Sequence, residues 1–302
     1  MLSGIEKIIF IIFALICSFI AYVTFSRMFG VISSGTQPLS LSQILSNWRN
    51  GFYSFISQKT LFKTRPIIGL IHALVAWGFT LYLVVNIIDV LYGFIPGFRF
   101  LPNHLFGHLY RVFVDVFSVL VLVGVFYFLY RRFIQKDQKL KIEKPVMLSK
   151  SAIKGMRYDS MIVGFFIIIH VGARFLSASF EIAHAGPDST QPFANLFAKL
   201  WINMEPRSII FMEHVTWWIA LGLILLFLPY FPMSKHAHLF MGPINIMGKE
   251  VRKSMGALEK IDFEDDTIEQ FGSSRLHHLP QNQLLDGYAC IQCSRCQDAC
   301  PA

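Results

Sequence analysis

The chain has 302 residues, of which 54% are hydrophobic and only 15% charged, against about 25% charged residues in a typical soluble domain. This composition argues against a water-soluble enzyme, because too little polar surface remains to cover a core of this size, and also against a disordered or fibrous chain. The net charge of +8 comes from bases that flank apolar runs, a pattern typical of membrane topology and not of nucleic-acid binding. We therefore expect an integral membrane protein.

Five apolar stretches are long enough to cross a bilayer, which takes about 20 residues. They predict spanning helices at residues 5–25, 66–90, 109–130, 158–180 and 209–232. The first stretch lacks a small-residue cleavage site and begins with Glu6 and Lys7, so we expect it to remain as a helix and not to be removed as a signal peptide. The predicted fold class is an all-α, five-helix membrane bundle.

The bases between the spans predict the orientation. Residues 27–66 carry five bases and no acid, and residues 131–157 carry nine bases and two acids. The alternate loops carry three bases, which are Arg99, Lys199 and Arg207. Since Lys and Arg accumulate on the cytoplasmic side, we expect a multi-pass protein of the inner (cytoplasmic) membrane with its N-terminus outside and its C-terminus in the cytoplasm.

The C-terminal residues hold the most specific motif. Cys290, Cys293, Cys296 and Cys300 follow the spacing C-x2-C-x2-C-x3-C, and Pro301 comes directly after. This is the spacing of [4Fe–4S] ligands in bacterial-type ferredoxins. The alternative, zinc, is usually held by two C-x2-C pairs separated by a longer spacer, which the motif lacks. We therefore expect four thiolate ligands of an iron–sulfur cluster, which requires a reducing compartment and agrees with a cytoplasmic C-terminus.

Histidines in or beside the spans are the next candidates, because ionisable groups in a bilayer are costly and usually functional. His72 lies on the second predicted span, His170 on the fourth and His214 on the fifth, whereas His236 and His238 follow the fifth at its cytoplasmic end. A b-type haem needs two neutral imidazoles from different helices. We expect His72 to supply one of them.

The surroundings of His72 and the choice of its partner depend on a few further residues. Gly69 and Gly78 on the same span would admit the haem ring, and Arg65 at its start would hold a propionate. His236 or His238 would supply the second imidazole, although either could instead be a polar end that reaches toward the membrane surface. His238 would lie deep enough only if the fifth helix continued through Pro232.

His170 and His214 both fall in the outer half of the membrane, counting 1.5 Å per residue. They could hold a second haem on opposite sides of its ring. They could equally hydrogen-bond a quinone or a nearby carbonyl group. The sequence leaves these alternatives open.

These features resemble the cytochrome b (gamma) subunit of respiratory nitrate reductase, which has five spans, an outer N-terminus, a histidine placed like His72 and a stretch like Pro-x-Ser-Lys-x-x-His at 232–238. The runs Asp-Gly-Tyr-Ala-Cys at 286–290 and Cys-Gln-Asp-Ala-Cys-Pro at 296–301 are similar to membrane-bound heterodisulfide-reductase-like proteins, in which such a domain is fused to an iron–sulfur domain. The resemblance implies that His72 and His238 ligate a haem near the cytoplasm.

The same resemblance places the ligands of an outer haem near Tyr82 and Ala220, and neither residue can bind iron. A second haem would therefore need His170 and His214 to replace them. We expect one haem b and leave the second open.

The expected organisation is a cytochrome b-like membrane domain at 1–240, a polar cytoplasmic linker at 241–286 and, at 287–302, the start of a [4Fe–4S] ferredoxin-like domain that continues further. The expected function is that of an oxidoreductase. Electrons would pass from a soluble cytoplasmic donor, by the resemblance electron-transfer flavoprotein, through the cluster and haem b to menaquinone or another quinone. The rivals are a haem-free iron–sulfur membrane anchor and a transporter with a regulatory cluster, although the paired broken spans of transporters are not evident in the sequence.

The charge pattern makes the orientation testable with reporter fusions. A reporter active only in the cytoplasm should be active when fused near Lys260 and silent when fused near Asp188, because these positions fall on opposite sides of the predicted membrane. The reverse pattern of activity would contradict the charge argument and would place the cysteine motif in an oxidising compartment.

Overall fold

A computed structural model describes residues 2–141, 148–249, 263–264 and 272–298. Within these ranges the regular structure is helical, with no β-strand. The α-helices are α1 (Gly4–Ser33), α2 (Leu41–Ser46), α3 (Trp48–Ser57), α4 (Lys59–Thr64), α5 (Pro66–Phe94), α6 (Leu105–Leu129), α7 (Lys150–Ala185), α8 (Pro192–Ala198), α9 (Pro206–Tyr230), α10 (His238–Met247), α11 (Gln281–Ala289) and α12 (Arg295–Asp298).

Five of these helices are long and apolar enough to cross a membrane, which confirms the number of spans predicted from the sequence. The helical segments are longer than the apolar stretches that predicted them. They run over Gly4–Ser33, Pro66–Phe94, Leu105–Ile134, Lys150–Ala185 and Pro206–Met233. One of the longest extra segments, at the start of α7, carries Lys150, Lys154 and Arg157, which remain compatible with a helix because helix propensity varies little among most residues.

The fifth helix does not continue through Pro232, which was the condition for His238 to lie deep in the predicted span. Regular α-helix ends at Tyr230, and two short 3-10 turns follow at Phe231–Met233 and Lys235–Ala237. Proline lacks a backbone N–H and clashes with the preceding turn, which accounts for a break here. His238 therefore begins a separate helix, α10, and does not extend α9.

Contacts in the described parts of residues 1–21, 59–230 and 292–302 form one unit. Within it, α5 packs against α6, and α7 packs against α6, α8 and α9. Glycines permit the close approach of α5 and α6: a Cβ on Gly78 would lie 2.3 Å from Val121 Cγ2, and one on Gly124 would lie 2.6 Å from Val75 Cγ2. Small residues at helix contacts are the usual means of bringing membrane helices together.

A buried carboxylate positions the short helix α8 in the same unit. Asp115 on α6 accepts hydrogen bonds from the backbone N–H groups of Phe193 and Ala194, at 2.7 and 2.9 Å. These N–H groups belong to the first turn of α8 and have no partner within a helix. Asp115 thus fixes the loop between α7 and α9.

The described parts of residues 22–58 and 231–291 form a second unit. In it, α10 packs against α2, α3 and α11. Asn245 on α10 donates from Nδ2 to Oδ1 of Asp286 on α11, at 2.6 Å. The backbone N–H of Thr36 donates to the carbonyl of Leu279 at 2.9 Å, so a long-range backbone contact also joins the residues after α1 to those before α11.

The α5–α6 contact yields a matched pair of glycine substitutions. We expect Gly78→Ala to lower the free energy of unfolding by about 1–3 kcal/mol, because the added methyl group would overlap the buried Val121 and force the helices apart. Gly172→Ala on α7 is the control, since its Cβ would meet no atom within 4 Å. Thermal unfolding in detergent measures both; equal midpoints for the two variants would contradict the packing argument.

Candidate functional site

The cysteine motif begins directly after α11 and ends beyond α12. Cys290 has extended backbone at the end of α11, and Cys296 lies on α12. On either side of Cys293, Gln292 and Ser294 have left-handed backbone, with φ of 56° and 59°. Two of these three residues have left-handed backbone, which turns the chain sharply. The segment 290–298, called the cysteine loop below, is therefore tightly turned after α11, in a way that can wrap a cofactor.

The donor set of this loop fits an iron–sulfur cluster. Cys290 and Cys296 are exposed and Cys293 is half-buried, and cysteine thiolates are the ligands that such clusters take. Among the described residues, no three His, Cys, Asp or Glu side chains converge as they would around a single metal ion. Cys300, the fourth predicted ligand, lies outside the described residues.

A buried arginine attaches this loop to the membrane bundle. Arg65, directly before α5, donates from Nη1 to the carbonyl of Cys293 at 3.1 Å and forms an ion pair with Asp298 on α12. Arg295 adds a weaker bond to the carbonyl of Thr60, at 3.4 Å. Arg65, which the sequence suggested for a haem propionate, thus binds the cysteine loop.

His72 is half-buried on α5, six residues after the helix begins at Pro66. This spacing corresponds to a rise of about 9 Å. The centre of its ring lies 6.4 Å from that of Phe128 on α6. His72 therefore lies in the N-terminal half of α5, the half whose start is joined to the cysteine loop through Arg65.

His236 and His238 lie in the turn after α9 and at the start of α10. Burial lowers the pKa of His236 to about 3, with a further lowering from the charges of His238 and Lys235. Burial also lowers the pKa of His238, whose Nδ1 donates to the carbonyl of Lys235. Burial therefore favours the neutral form of both imidazoles, and the neutral form is the one that binds a metal.

His170 is buried on α7 and has one nitrogen in use. Its Nδ1 lies 2.8 Å from the carbonyl oxygen of Ala220, so Nδ1 must carry the proton. Its Nε2 is buried and has no hydrogen-bond partner among the described atoms. The ring meets Tyr82 edge-on, with centres 5.6 Å apart. His170 thus lies at the level of Tyr82 and Ala220, where the resemblance places an outer haem, with a lone pair available.

His214 has a different partner. Its Nδ1 lies 2.8 Å from Oε1 of Glu6 on α1, and Trp218 Nε1 donates to the same oxygen. His214 precedes Ala220 by six residues on α9, a rise of about 9 Å. The structure therefore does not place His170 and His214 at one level, and a haem held by both stays a prediction.

A polar cavity of about 420 Å³ opens where α5 and α7 end and α9 begins. Asp89 and Arg174 form an ion pair across it at 3.2 Å, and Trp217 donates to the carbonyl of Asp89 at 3.0 Å. Tyr92 donates to Glu181 at 3.3 Å on the same wall. This cavity was not predicted from the sequence, although Asp89 and Arg174, as charged residues within apolar spans, were a signal for it.

Two curated proteins are similar to this chain. It is 33% identical over 259 residues to the "Probable iron-sulfur-binding oxidoreductase FadF" of Bacillus subtilis. The matched region covers 84% of this chain and 34% of the relative. It is 26% identical, with the same coverage, to the "EtfAB:quinone oxidoreductase" of Syntrophomonas wolfei. The chain spans about a third of the length of these relatives. No family model matches the chain, and no solved structure does.

Proposed function

We propose that this chain is the membrane part of an oxidoreductase that carries electrons from a soluble cytoplasmic donor, through a [4Fe–4S] cluster and haem b, to a quinone. The observation that carries the proposal is the attachment of the cysteine loop, through Arg65, to the start of the helix that bears His72. The two relatives support it by name, since both are oxidoreductases, one iron–sulfur-binding and one acting between EtfAB and a quinone.

In this proposal Cys290, Cys293, Cys296 and Cys300 hold the cluster, which supplies one-electron transfer. The protein fixes the cluster at the membrane domain and leaves part of the cysteine loop open to a partner, because Cys290 and Cys296 are exposed. The donor would be a soluble protein such as electron-transfer flavoprotein. EtfAB, named for one relative, motivates that choice.

His72 would hold haem b together with His238 or His236, in a domain like the nitrate reductase gamma subunit. The neutral form of an imidazole is the one that binds iron. The bond from His238 Nδ1 to the carbonyl of Lys235 fixes the proton on that nitrogen, as hydrogen bonds to the other ring nitrogen do in metal-binding histidines. A haem supplies a further one-electron step within the membrane.

The cavity lined by Asp89 and Arg174, called the Asp89 cavity below, is the proposed quinone site. It combines apolar helix walls with a few polar groups, as ligand sites commonly do, and the guanidinium of Arg174, with five N–H groups, lines it. Asp89 lies 17 residues beyond His72 on α5, a rise of about 25 Å. His170, which meets α5 at Tyr82, lies between these levels, which favours His170 as a ligand of a second haem.

Absorption spectra test the haem. His72→Ala should abolish or sharply reduce the dithionite-reduced b-type signal, because an axial ligand is removed. His277→Ala, which changes an exposed residue, should leave it intact. A wild-type protein that lacks haem when expressed with ample haem would contradict the proposal and favour a haem-free iron–sulfur anchor.

Iron and acid-labile sulfide, measured in the same preparations, test the cluster. Cys293→Ala should lower both, whereas Cys17→Ala, a buried cysteine on α1, should preserve them. Equal iron and sulfide in the two variants would contradict the assignment of the C-terminal thiolates.

A further inference from the structure

We infer that Arg65 is a positioning residue that holds the cysteine loop on the membrane domain; this inference rests on the proposed function. Its guanidinium is buried and binds two separate points of the loop, the carbonyl of Cys293 and the carboxylate of Asp298. A buried charge is costly unless it is paired, so the bundle and the loop depend on this contact together.

An arginine suits this role better than a lysine does. The planar guanidinium presents several N–H donors in a fixed fork and can bind a carbonyl and a carboxylate at once. The same positive charge next to Cys293 would favour the reduced, more negative state of a cluster held there, because charges and hydrogen bonds near the sulfurs set the reduction potential. Lys63, two residues earlier, is exposed and offers a cation without these contacts.

The position of Arg65 on α5 also relates the loop to the proposed haem. His72 follows it by seven residues, a rise of about 10 Å. A loop released from Arg65 would no longer have a fixed distance to His72. Removal of the arginine should therefore change both the potential of the cluster and the rate at which electrons pass into the membrane domain.

The experiment compares Arg65→Gln, Arg65→Lys and Asp298→Asn with the control Lys63→Gln in reconstituted protein. At equal cluster content, Arg65→Gln should lower the cluster potential measured by EPR-monitored titration and slow haem reduction about tenfold or more, a change that corresponds to about 1.4 kcal/mol. Arg65→Lys keeps the positive charge, so it should retain the cluster potential of the wild type but only part of its rate of haem reduction. Asp298→Asn should slow haem reduction but leave most of the cluster potential unchanged.

A second readout does not need the cluster. In cluster-free protein, Cys293 should react with a maleimide several-fold faster in Arg65→Gln than in Lys63→Gln, because the loop is released. Equal potentials, rates and maleimide reactivity in these two variants would overturn the inference. Wild-type protein without a cluster, but with Arg65-dependent protection of Cys293, would overturn the proposed function and preserve the attachment.

An independent observation concerns the segment between the first two spans. We propose that one side of α2 and α3 lies in the lipid headgroup region on the side where α1 ends, which is cytoplasmic in the predicted topology. Large apolar residues recur there every three or four positions, and each is between 44% and 69% exposed. This apolar stripe consists of Leu41, Leu45, Trp48, Phe52 and Ile56.

The other side of these helices is already in contact with protein. A Cβ on Gly51 would lie 2.4 Å from Cγ of Met247 on α10, and Asn47 donates from Nδ2 to the carbonyl of Met247 at 3.2 Å. Gln43 donates to the carbonyl of Lys249 at 2.6 Å. The apolar stripe is therefore the side that remains exposed, and an apolar patch of this kind marks an interaction surface.

Lipid is the occupant that the sequence and the chain connections favour. The segment is joined at both ends to spans, since α1 ends at Ser33 and α5 begins at Pro66. Residues 27–66 carry no acid, and four of their five bases are exposed, which favours a surface of anionic lipid. These bases are Arg27, Arg49, Lys59 and Lys63. Trp48 and Tyr53 are residue types enriched at membrane interfaces, and an apolar stripe beside basic residues is typical of helices that lie in the interface.

Photoreactive lipids test this placement in nanodiscs. With a diazirine in the acyl chain, adducts should map to residues 41–57, and they should rise about twofold or more when phosphatidylglycerol is added to phosphatidylcholine. The double substitution Trp48→Glu and Phe52→Glu should reduce the adducts. The matched control, Ser46→Glu and Asn50→Glu, should reduce them less, because these residues lie outside the stripe.

Two outcomes would overturn the lipid proposal. One is labelling of the spans without adducts in residues 41–57 of the wild-type protein. The other is protein–protein cross-linking through the stripe, to a second copy or to an added electron-transfer flavoprotein. The wild-type comparison decides the question even if the glutamate variants fail to fold.

Discussion

An ionisable group inside a bilayer has to find its partner within the protein, because the hydrocarbon offers none. This constraint accounts for the polar contacts of the spans. Arg174 is paired with Asp89, and His214 meets Glu6. Each contact joins different helices, so the same contacts that satisfy these polar groups also help to fix which helices are neighbours. His170 follows the constraint with only one of its two nitrogens, because its buried Nε2 is among the described polar atoms that have no hydrogen-bond partner.

The spans were predictable because apolar composition over about 20 residues is a local property. Their ends were not, since α7 begins at Lys150, where polar helical turns precede the apolar stretch. The break after α9 could have been predicted from Pro232, since proline lacks the backbone N–H that a continuing helix needs, whereas Pro229 lies inside α9. The short helices α2 and α3 were missed, because neither is long enough for its periodicity to stand out.

The residues of the candidate site also fall into those that the sequence predicted and those that it did not. The cysteine motif was evident because its spacing is local, and the histidines were evident because they interrupt apolar runs. The role of Arg65 was not, since 228 positions separate it from Cys293 and no local pattern relates the two. The Asp89 cavity likewise depends on α5, α7 and α9 together. Residues distant in sequence form these sites, and only the folded chain shows their partners.

The contact between Glu6 and His214 has a consequence for biosynthesis. The two residues are 208 positions apart, and a ribosome adds about 5–20 residues per second. The carboxylate of Glu6 is therefore made roughly 10–40 s before the imidazole that it contacts. During this interval the first helix has no access to its final neighbour on α9. Insertion of α1 and formation of its contact with α9 must then be separate events, and the contact can form only after the last span has been made.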